Sequence, residues 1–174
     1  MKAKQILQKS KIIPVIVVEE LESTLELAKI LVDSGIEILE ITLRTQNAFE
    51  AIKCISKEIP NAIIGAGTVL NAKQLELALK AGAQFAISPG FNATLAQEAL
   101  KTKTVFIPGI ATPSELMQAL EFGFEELKFF PAQLCGGIAM LNTFASVFNQ
   151  VQFCPTGGIN YENMDKYLSL KNVL

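Results

Sequence analysis

The strongest constraint on the fold of this chain is the regular alternation of short apolar segments with helical segments from one end to the other. Seven segments have the length and the apolar, β-branched character of buried strands: residues 12–18, 36–43, 61–66, 84–88, 104–108, 125–130 and 151–154. Helical periodicity fills the intervals between them. Because strands that alternate with helices form parallel βα units, the pattern predicts a parallel sheet covered by helices.

Three glycines mark an internal repeat within this alternation. Gly35, Gly82 and Gly123 each follow a helical segment and precede the second, fourth and sixth predicted strands, where left-handed backbone ends a helix. A strand-to-strand spacing of about 20 to 25 residues favours a (β/α)8 TIM barrel over an open doubly wound sheet. An eighth strand would begin near residues 172–174. The prediction is therefore a single barrel domain over residues 1–174, without its eighth strand and last helix.

Helix starts are marked by capping residues. The segment Thr112-Pro113-Ser114-Glu115 combines an N-cap, a proline in the first turn and a capping-box glutamate. Asn71, Asn92 and Asn160 are placed to begin three other helices. These signals predict helices that begin immediately after each of these residues.

The basic residues restrict the possible chemistry. The chain has 15 Lys and Arg residues, of which only Arg44 is arginine, and it has no histidine. Serine-type triads, cysteine–histidine pairs and three-histidine metal sites are excluded within the chain. The three cysteines form no C-x-x-C pair, which is typical of reduced thiols that pack in a cytoplasmic protein.

Charge and hydropathy patterning disfavour two classes of partner. The net charge is −2 and the charged residues are scattered along the chain, so the sequence has no basic cluster of the kind that binds nucleic acid. No apolar stretch is long enough to span a bilayer. Segment 12–18 follows a lysine-rich start and superficially resembles a signal peptide, but Pro14 interrupts it, and we interpret it as a buried strand.

Two charged residues are predicted to lie inside the barrel. Glu40 and Lys128 both stand five residues after a repeat glycine, near the ends of the second and sixth predicted strands. Residues at equal offsets on alternate strands share a layer of a barrel, so the two side chains are expected to face each other. Active sites of such barrels lie at this end of the strands.

The position of Lys128 in a buried strand allows two interpretations. A lysine between Leu127 and Phe129 in a buried strand is costly unless it is paired or neutral, and desolvation favours the neutral amine that attacks carbonyl substrates. The alternative is a structural ion pair between Lys128 and Glu40 that fills the centre of the barrel.

Two further features fall at the same end of the strands. Arg44 follows the second strand, and its planar guanidinium suits a substrate carboxylate, although a surface arginine is the alternative. Thr156, Gly157 and Gly158 follow the seventh strand, where backbone N–H groups can bind phosphate, although Gly-Gly also marks a simple tight turn.

Five segments together resemble the bacterial KDPG/KHG aldolases over essentially the whole chain. They are Leu39-Glu-Ile-Thr-Leu-Arg-Thr45, Gly65-Ala-Gly-Thr-Val-Leu70, Ile87-Ser-Pro-Gly90, Lys128-Phe-Phe-Pro-Ala132 and Cys154-Pro-Thr-Gly-Gly-Ile159. The resemblance implies a class I aldolase of the Entner–Doudoroff pathway, with no metal and no cofactor, assembled as a homotrimeric barrel. Its substrate would be a small phosphorylated keto acid, 2-keto-3-deoxy-6-phosphogluconate (KDPG), and also 4-hydroxy-2-oxoglutarate (KHG).

The resemblance also implies the role of each site residue. Lys128 matches the lysine that forms the Schiff base, and Glu40 matches the general acid and base. The residues that match positions around the pyruvate moiety are Arg44, Thr68, Pro89 and Phe130, with Thr156 close by. Gly157 and Gly158 match part of the phosphate site, whose other part is a serine after the eighth strand, so this half of the site is expected to be incomplete.

Two alternatives remain open for the function. The first is a sibling aldolase that acts on 2-keto-3-deoxy-6-phosphogalactonate, whose sugar differs in stereochemistry at C4. The second is a catalytically silent barrel fragment that serves as a binding or assembly module.

Overall fold

The computed structural model describes residues 2–174, which form eight strands and eight α-helices. The strands are β1 (Val15–Val17), β2 (Ile38–Thr42), β3 (Ile63–Gly67), β4 (Phe85–Ile87), β5 (Val105–Ile107), β6 (Gly109–Ile110), β7 (Glu126–Phe129) and β8 (Gln152–Pro155). The helices are α1 (Ala3–Leu7), α2 (Leu21–Asp33), α3 (Ala48–Glu58), α4 (Ala72–Ala81), α5 (Ala93–Lys101), α6 (Pro113–Glu121), α7 (Gly137–Val147) and α8 (Met164–Leu168).

The chain divides into two compact units. The first runs to Ser88 and includes Asn92–Phe106, and the second comprises Pro89–Phe91 and Ile107–Leu174. Strands β1 to β5 follow one another in sequence order in one sheet, and β6, β7 and β8 do the same in another. The predicted strand 104–108 corresponds to β5 and ends at Ile107, because Pro108 has no N–H to continue the ladder, and the separate strand β6 follows it.

The first unit is built on β2 and β3, which are buried along their whole length. The strands pair in parallel, so that Glu40 stands opposite Val15 of β1 on one side and Gly65 of β3 on the other. Helix α3 packs against both strands and against its neighbours α2 and α4. Strand β1 is shorter than the predicted segment 12–18, although the Pro14 carbonyl still accepts from the Glu40 N–H at 3.1 Å.

The second unit has its own apolar core. Strands β6, β7 and β8 pair in parallel with Gly109 and Cys154 on either side of Lys128. The buried members of this core are Ile110, Leu116, Ala119, Leu127, Phe129, Ala132, Leu141, Phe144, Val151, Phe153 and Tyr167. Beyond β8, Val173 forms an isolated parallel bridge with Phe153.

Most predicted helix boundaries are confirmed. Thr112 caps α6 with the reciprocal Glu115 capping box, and the Asn71 and Asn92 side chains cap α4 and α5. The helix start predicted at Asn160 is wrong, because α8 begins only after Asn163. Within residues 2–174, every helix is too short or too polar to cross a membrane.

Candidate active site

The Glu40 carboxyl group occupies a space that glycine provides. Glu40 is 3% exposed on β2, and its side chain lies over Gly67, the last residue of β3. A Cβ atom at Gly67 would overlap Glu40 Oε1 and stand 2.5 Å from Cγ and 2.7 Å from Cδ. Since real Cβ atoms essentially never approach other heavy atoms within 3.0 Å, the observed position of the carboxyl group requires glycine at residue 67.

Arg44 and Thr68 come together just beyond the ends of β2 and β3. The Arg44 Nε–H donates to Thr68 Oγ1 at 3.4 Å, and the arginine is exposed. Thr68 has a φ of +57°, a left-handed conformation that is strained for a β-branched side chain. Such strain is typical of functional positions, and here it places a hydroxyl group beside the guanidinium.

Lys128 lies on the face of β7 opposite the core of the second unit, as predicted. The side chains on either side of it, Leu127 and Phe129, are part of that core. Lys128 is 5% exposed, and its Nζ lies 5.4 Å from the centroid of the Phe130 ring. The Phe130 ring therefore provides an aromatic surface beside the amine.

Phe130 also contacts the loop that follows β8. A Cβ atom at Gly157 would lie 3.4 Å from Phe130 Cδ2, and the N–H of Thr156 donates to the Phe129 carbonyl at 2.9 Å. Gly157 and Gly158 have φ values of +99° and +79°, which glycine adopts without strain. The structure therefore brings the predicted residues Phe130, Thr156 and Gly157 together.

Pro89 lies beside the strand that neighbours Lys128. A Cβ atom at Gly109 would overlap the Pro89 carbonyl group and stand 2.7 Å from the Gly90 N. Gly109 in turn pairs with Lys128 in the β6–β7 register. This close backbone approach places Pro89 one strand away from the lysine.

Three polar side chains around the Gly157–Gly158 loop were not singled out from the sequence. Asn163 Nδ2 donates to the Gly158 carbonyl at 2.9 Å, and the Tyr167 hydroxyl donates to Gln133 Oε1 at 2.8 Å. Burial raises the pKa of Tyr167 above its ordinary value. No sequence pattern indicates these contacts, because they join residues brought together by the turns after β7 and β8.

Among the residues described, 2–174, no cluster of three or more histidine, cysteine, aspartate or glutamate side chains is placed to hold a metal ion. The predicted residues of the first unit carry a carboxyl group, a guanidinium and a hydroxyl, and those of the second unit carry an amine, a hydroxyl and glycine backbone. Those groups suit proton transfer, nucleophilic addition to a carbonyl and the binding of anions.

Comparisons with known proteins agree with this chemistry. The family model for KDPG and KHG aldolase matches residues 3–174. The KHG/KDPG aldolase of Escherichia coli (strain K12) is 51% identical over 172 residues, which cover 99% of this chain and 81% of that protein.

Two solved structures are similar over almost the whole chain. One is the KDPG aldolase of Legionella pneumophila with pyruvate captured at low pH as a covalent carbinolamine intermediate, with a TM-score of 0.97, 46% identity and coverage of 99% of this chain and 84% of that one. The other is the 2-keto-3-deoxy-6-phosphogluconate aldolase of Zymomonas mobilis ZM4 with 3-phosphoglycerate, with a TM-score of 0.95, 44% identity and coverage of 98% and 81%. These matches confirm the predicted fold class, the parallel βα barrel of the aldolases.

Proposed function

This chain belongs to the KDPG and KHG aldolase family, and we propose that it is a class I aldolase. Its reaction would be the cleavage of 2-keto-3-deoxy-6-phosphogluconate to pyruvate and glyceraldehyde 3-phosphate. It would also cleave 4-hydroxy-2-oxoglutarate to pyruvate and glyoxylate. The observation that carries the proposal is the Lys128 amine, which is 5% exposed and held against the Phe130 ring on the face of β7 turned away from the core.

The proposed reaction begins with addition of the neutral Lys128 amine to the C2 carbonyl carbon of the substrate. The carbinolamine loses water and becomes a protonated imine, which acts as an electron sink. Removal of the C4 hydroxyl proton breaks the C3–C4 bond, and its electron pair enters an enamine as the aldehyde leaves. Protonation of the enamine at C3 and hydrolysis of the imine release pyruvate and restore the amine. The capture of pyruvate as a carbinolamine in the Legionella relative supports this sequence.

We assign the proton transfers to Glu40. Its carboxyl group is buried and its position is set by Gly67, which is the fixed geometry that a general acid and base needs. The protonated imine performs the electrophilic task that other aldolases assign to a metal ion, so the proposed reaction needs neither metal nor cofactor.

The other predicted residues would bind the substrate. Arg44 and Thr68, joined at 3.4 Å, would hold the carboxylate beside the keto group. The side chains proposed to enclose the pyruvate moiety are Pro89, Phe130 and Thr156. Gly157 and Gly158 would bind the phosphate through their N–H groups, and 3-phosphoglycerate in the Zymomonas relative supports a place for a phosphorylated three-carbon product.

We further propose a homotrimer in the cytoplasm, in line with the resemblance of the sequence to its family. Sedimentation of the purified chain would give about three times the 18.9 kDa of one chain. A monomer at micromolar concentration would refute this part of the proposal without affecting the assignment of the reaction.

Borohydride trapping tests the Schiff base directly. The wild-type chain is incubated with pyruvate, reduced, digested and examined by mass spectrometry. We expect an adduct of the mass of reduced pyruvate on Lys128, and none in Lys128→Met. A folded wild-type chain that forms no adduct would show that it is a silent fragment rather than an aldolase.

The role of Glu40 is tested with Glu40→Gln. This variant keeps the shape of the side chain and should still form the trapped adduct with pyruvate. Its turnover should fall by about 10²- to 10⁴-fold, the usual contribution of general acid–base catalysis. Turnover equal to that of wild type would remove Glu40 from the mechanism.

Substrate preference is settled by measuring kcat/KM for the gluconate and galactonate epimers and for 4-hydroxy-2-oxoglutarate. A higher value for the gluconate epimer is expected. A higher value for the galactonate epimer would move the assignment to the sibling aldolase.

A further inference from the structure

Three consecutive carbonyl groups of the loop after β8 are each held by a hydrogen bond. The donors are the Ala132 N–H to Thr156 O at 2.8 Å, the Gln133 N–H to Gly157 O at 3.0 Å, and Asn163 Nδ2 to Gly158 O at 2.9 Å. The first two donors are backbone groups, which any sequence in this turn supplies. The third is a side chain, so it depends on the identity of residue 163.

Holding a carbonyl group also fixes the N–H group of the next residue. A trans peptide is planar, and its N–H points opposite to its C=O. The three hydrogen bonds therefore fix the directions of the Gly157, Gly158 and Ile159 N–H groups. The direction of the Ile159 N–H depends on Asn163 alone among these donors.

Asn163 is itself fixed, and so is the surface beneath the loop. Asn163 Oδ1 accepts from the Asn160 N–H at 2.8 Å, which orients the amide so that its nitrogen faces Gly158. On the other side, Gly158 packs so closely that a Cβ atom there would lie 2.5 Å from Gln133 Cβ. The Gln133 side chain is braced by the hydroxyl group of Tyr167, which is 2% exposed.

We propose that Asn163 is a positioning residue that gives this chain its affinity for phosphorylated substrates over non-phosphorylated ones. Asn163 does not touch the reacting atoms. It holds the Gly158 carbonyl and thereby the direction of the Ile159 N–H, which would bind a phosphate oxygen together with the N–H groups of Gly157 and Gly158. The inference rests on the proposed function, in which this loop binds the phosphate.

The test compares two substrates that undergo the same bond cleavage. KDPG carries a phosphate, whereas 4-hydroxy-2-oxoglutarate does not. In Asn163→Ala we expect the KM for KDPG to rise about tenfold, the loss that follows from one hydrogen bond. The KM and kcat for 4-hydroxy-2-oxoglutarate should stay within about twofold of wild type, because the groups that hold pyruvate do not involve Asn163.

Two further variants separate the hydrogen bond from other effects. Asn163→Asp keeps the oxygen that accepts from the Asn160 N–H but loses the donor to Gly158, so its selectivity should fall as in Asn163→Ala. Asn160→Ala changes an asparagine of the same loop whose side chain accepts from the Glu162 N–H at 3.0 Å. It keeps the backbone N–H that orients Asn163, so it should behave as wild type. Thermal unfolding and pyruvate trapping check that each variant is folded.

The possible results separate the role of Asn163 from the assignment of the chain as an aldolase. Selective loss of KDPG affinity in both Asn163 variants supports the proposal. Equal losses for both substrates, or wild-type behaviour of a folded Asn163→Ala, would overturn the role of Asn163 while leaving the aldolase assignment intact. A wild-type chain that cleaves neither substrate and traps no pyruvate would overturn both.

Discussion

Gly67→Ala is expected to disable catalysis by displacing the Glu40 carboxyl group. The new Cβ atom would overlap Oε1 and stand 2.5 Å from Cγ, whereas carbon atoms in contact settle about 3.5 to 4.0 Å apart. The Glu40 side chain must therefore move by about 1 Å. It is buried, so the movement takes place within packed surroundings.

Two energetic consequences follow, and they differ in size. A misplacement of about 1 Å in a catalytic arrangement costs about 10²-fold in rate. Overpacking a buried site costs about 1 to 3 kcal/mol of stability. Against a typical stability of about 5 to 15 kcal/mol, at least about nine-tenths of the protein stays folded, so unfolding does not account for a hundredfold loss of activity.

The assay is steady-state cleavage of KDPG by wild type and Gly67→Ala, with pyruvate trapping measured alongside. We expect kcat to fall about 10²-fold while Lys128 remains trappable. Gly35→Ala is the matched control: a Cβ atom there meets nothing within 4 Å, but the φ of +89° makes alanine strained. That variant should lose about 1 kcal/mol of stability and keep its kcat. A kcat for Gly67→Ala within threefold of wild type would refute the reasoning.

Three further predictions concern single side chains. Thr68→Val removes the hydroxyl beside Arg44. In steady-state assays we expect the KM for the keto acid to rise about 2- to 10-fold, and an unchanged KM would contradict this prediction. Thr112→Ala removes the N-cap of α6 and its reciprocal contact with Glu115, and chemical denaturation should show a loss of about 1 kcal/mol. Burial raises the pKa of Tyr167 above its ordinary 10.0, so the folded state holds the phenolic proton more tightly, and this contribution to stability is present below pH 10 and lost as pH rises above it. Tyr167→Phe should therefore lose less stability than wild type as pH rises above 10, and parallel pH curves of the two proteins would contradict this.

The parts of the fold that could be predicted are those encoded by neighbours in sequence. The capping box of Thr112 and Glu115 joins residues three apart, and it was found because such contacts need no tertiary structure. Asn160 carries the same residue type, yet its side chain accepts from the Glu162 N–H at 3.0 Å. That contact closes a turn two residues long and competes with helix capping, which is why the predicted helix start was wrong.

The same distinction applies to the candidate site residues: positions along one strand could be predicted, and contacts between different segments could not. The strand position of Lys128 and its face opposite Leu127 and Phe129 follow from alternation along one strand, and the structure agrees. The space that Gly67 leaves for Glu40 depends on the register of β2 against β3, and the contact between Asn163 and Gly158 depends on the path of a loop. Neither leaves a periodic signal in the sequence, so both were missed.

Strand β3 also limits the order in which this sequence can change over evolution. A Cβ atom at Gly65 would overlap the Phe85 ring on the neighbouring strand β4. Any larger residue at position 65 is thus tolerated only after position 85 has become smaller, whereas shrinking Phe85 first leaves a cavity that the later change can fill. The two positions form an epistatic pair with one accessible mutational path, and it passes through a less stable intermediate.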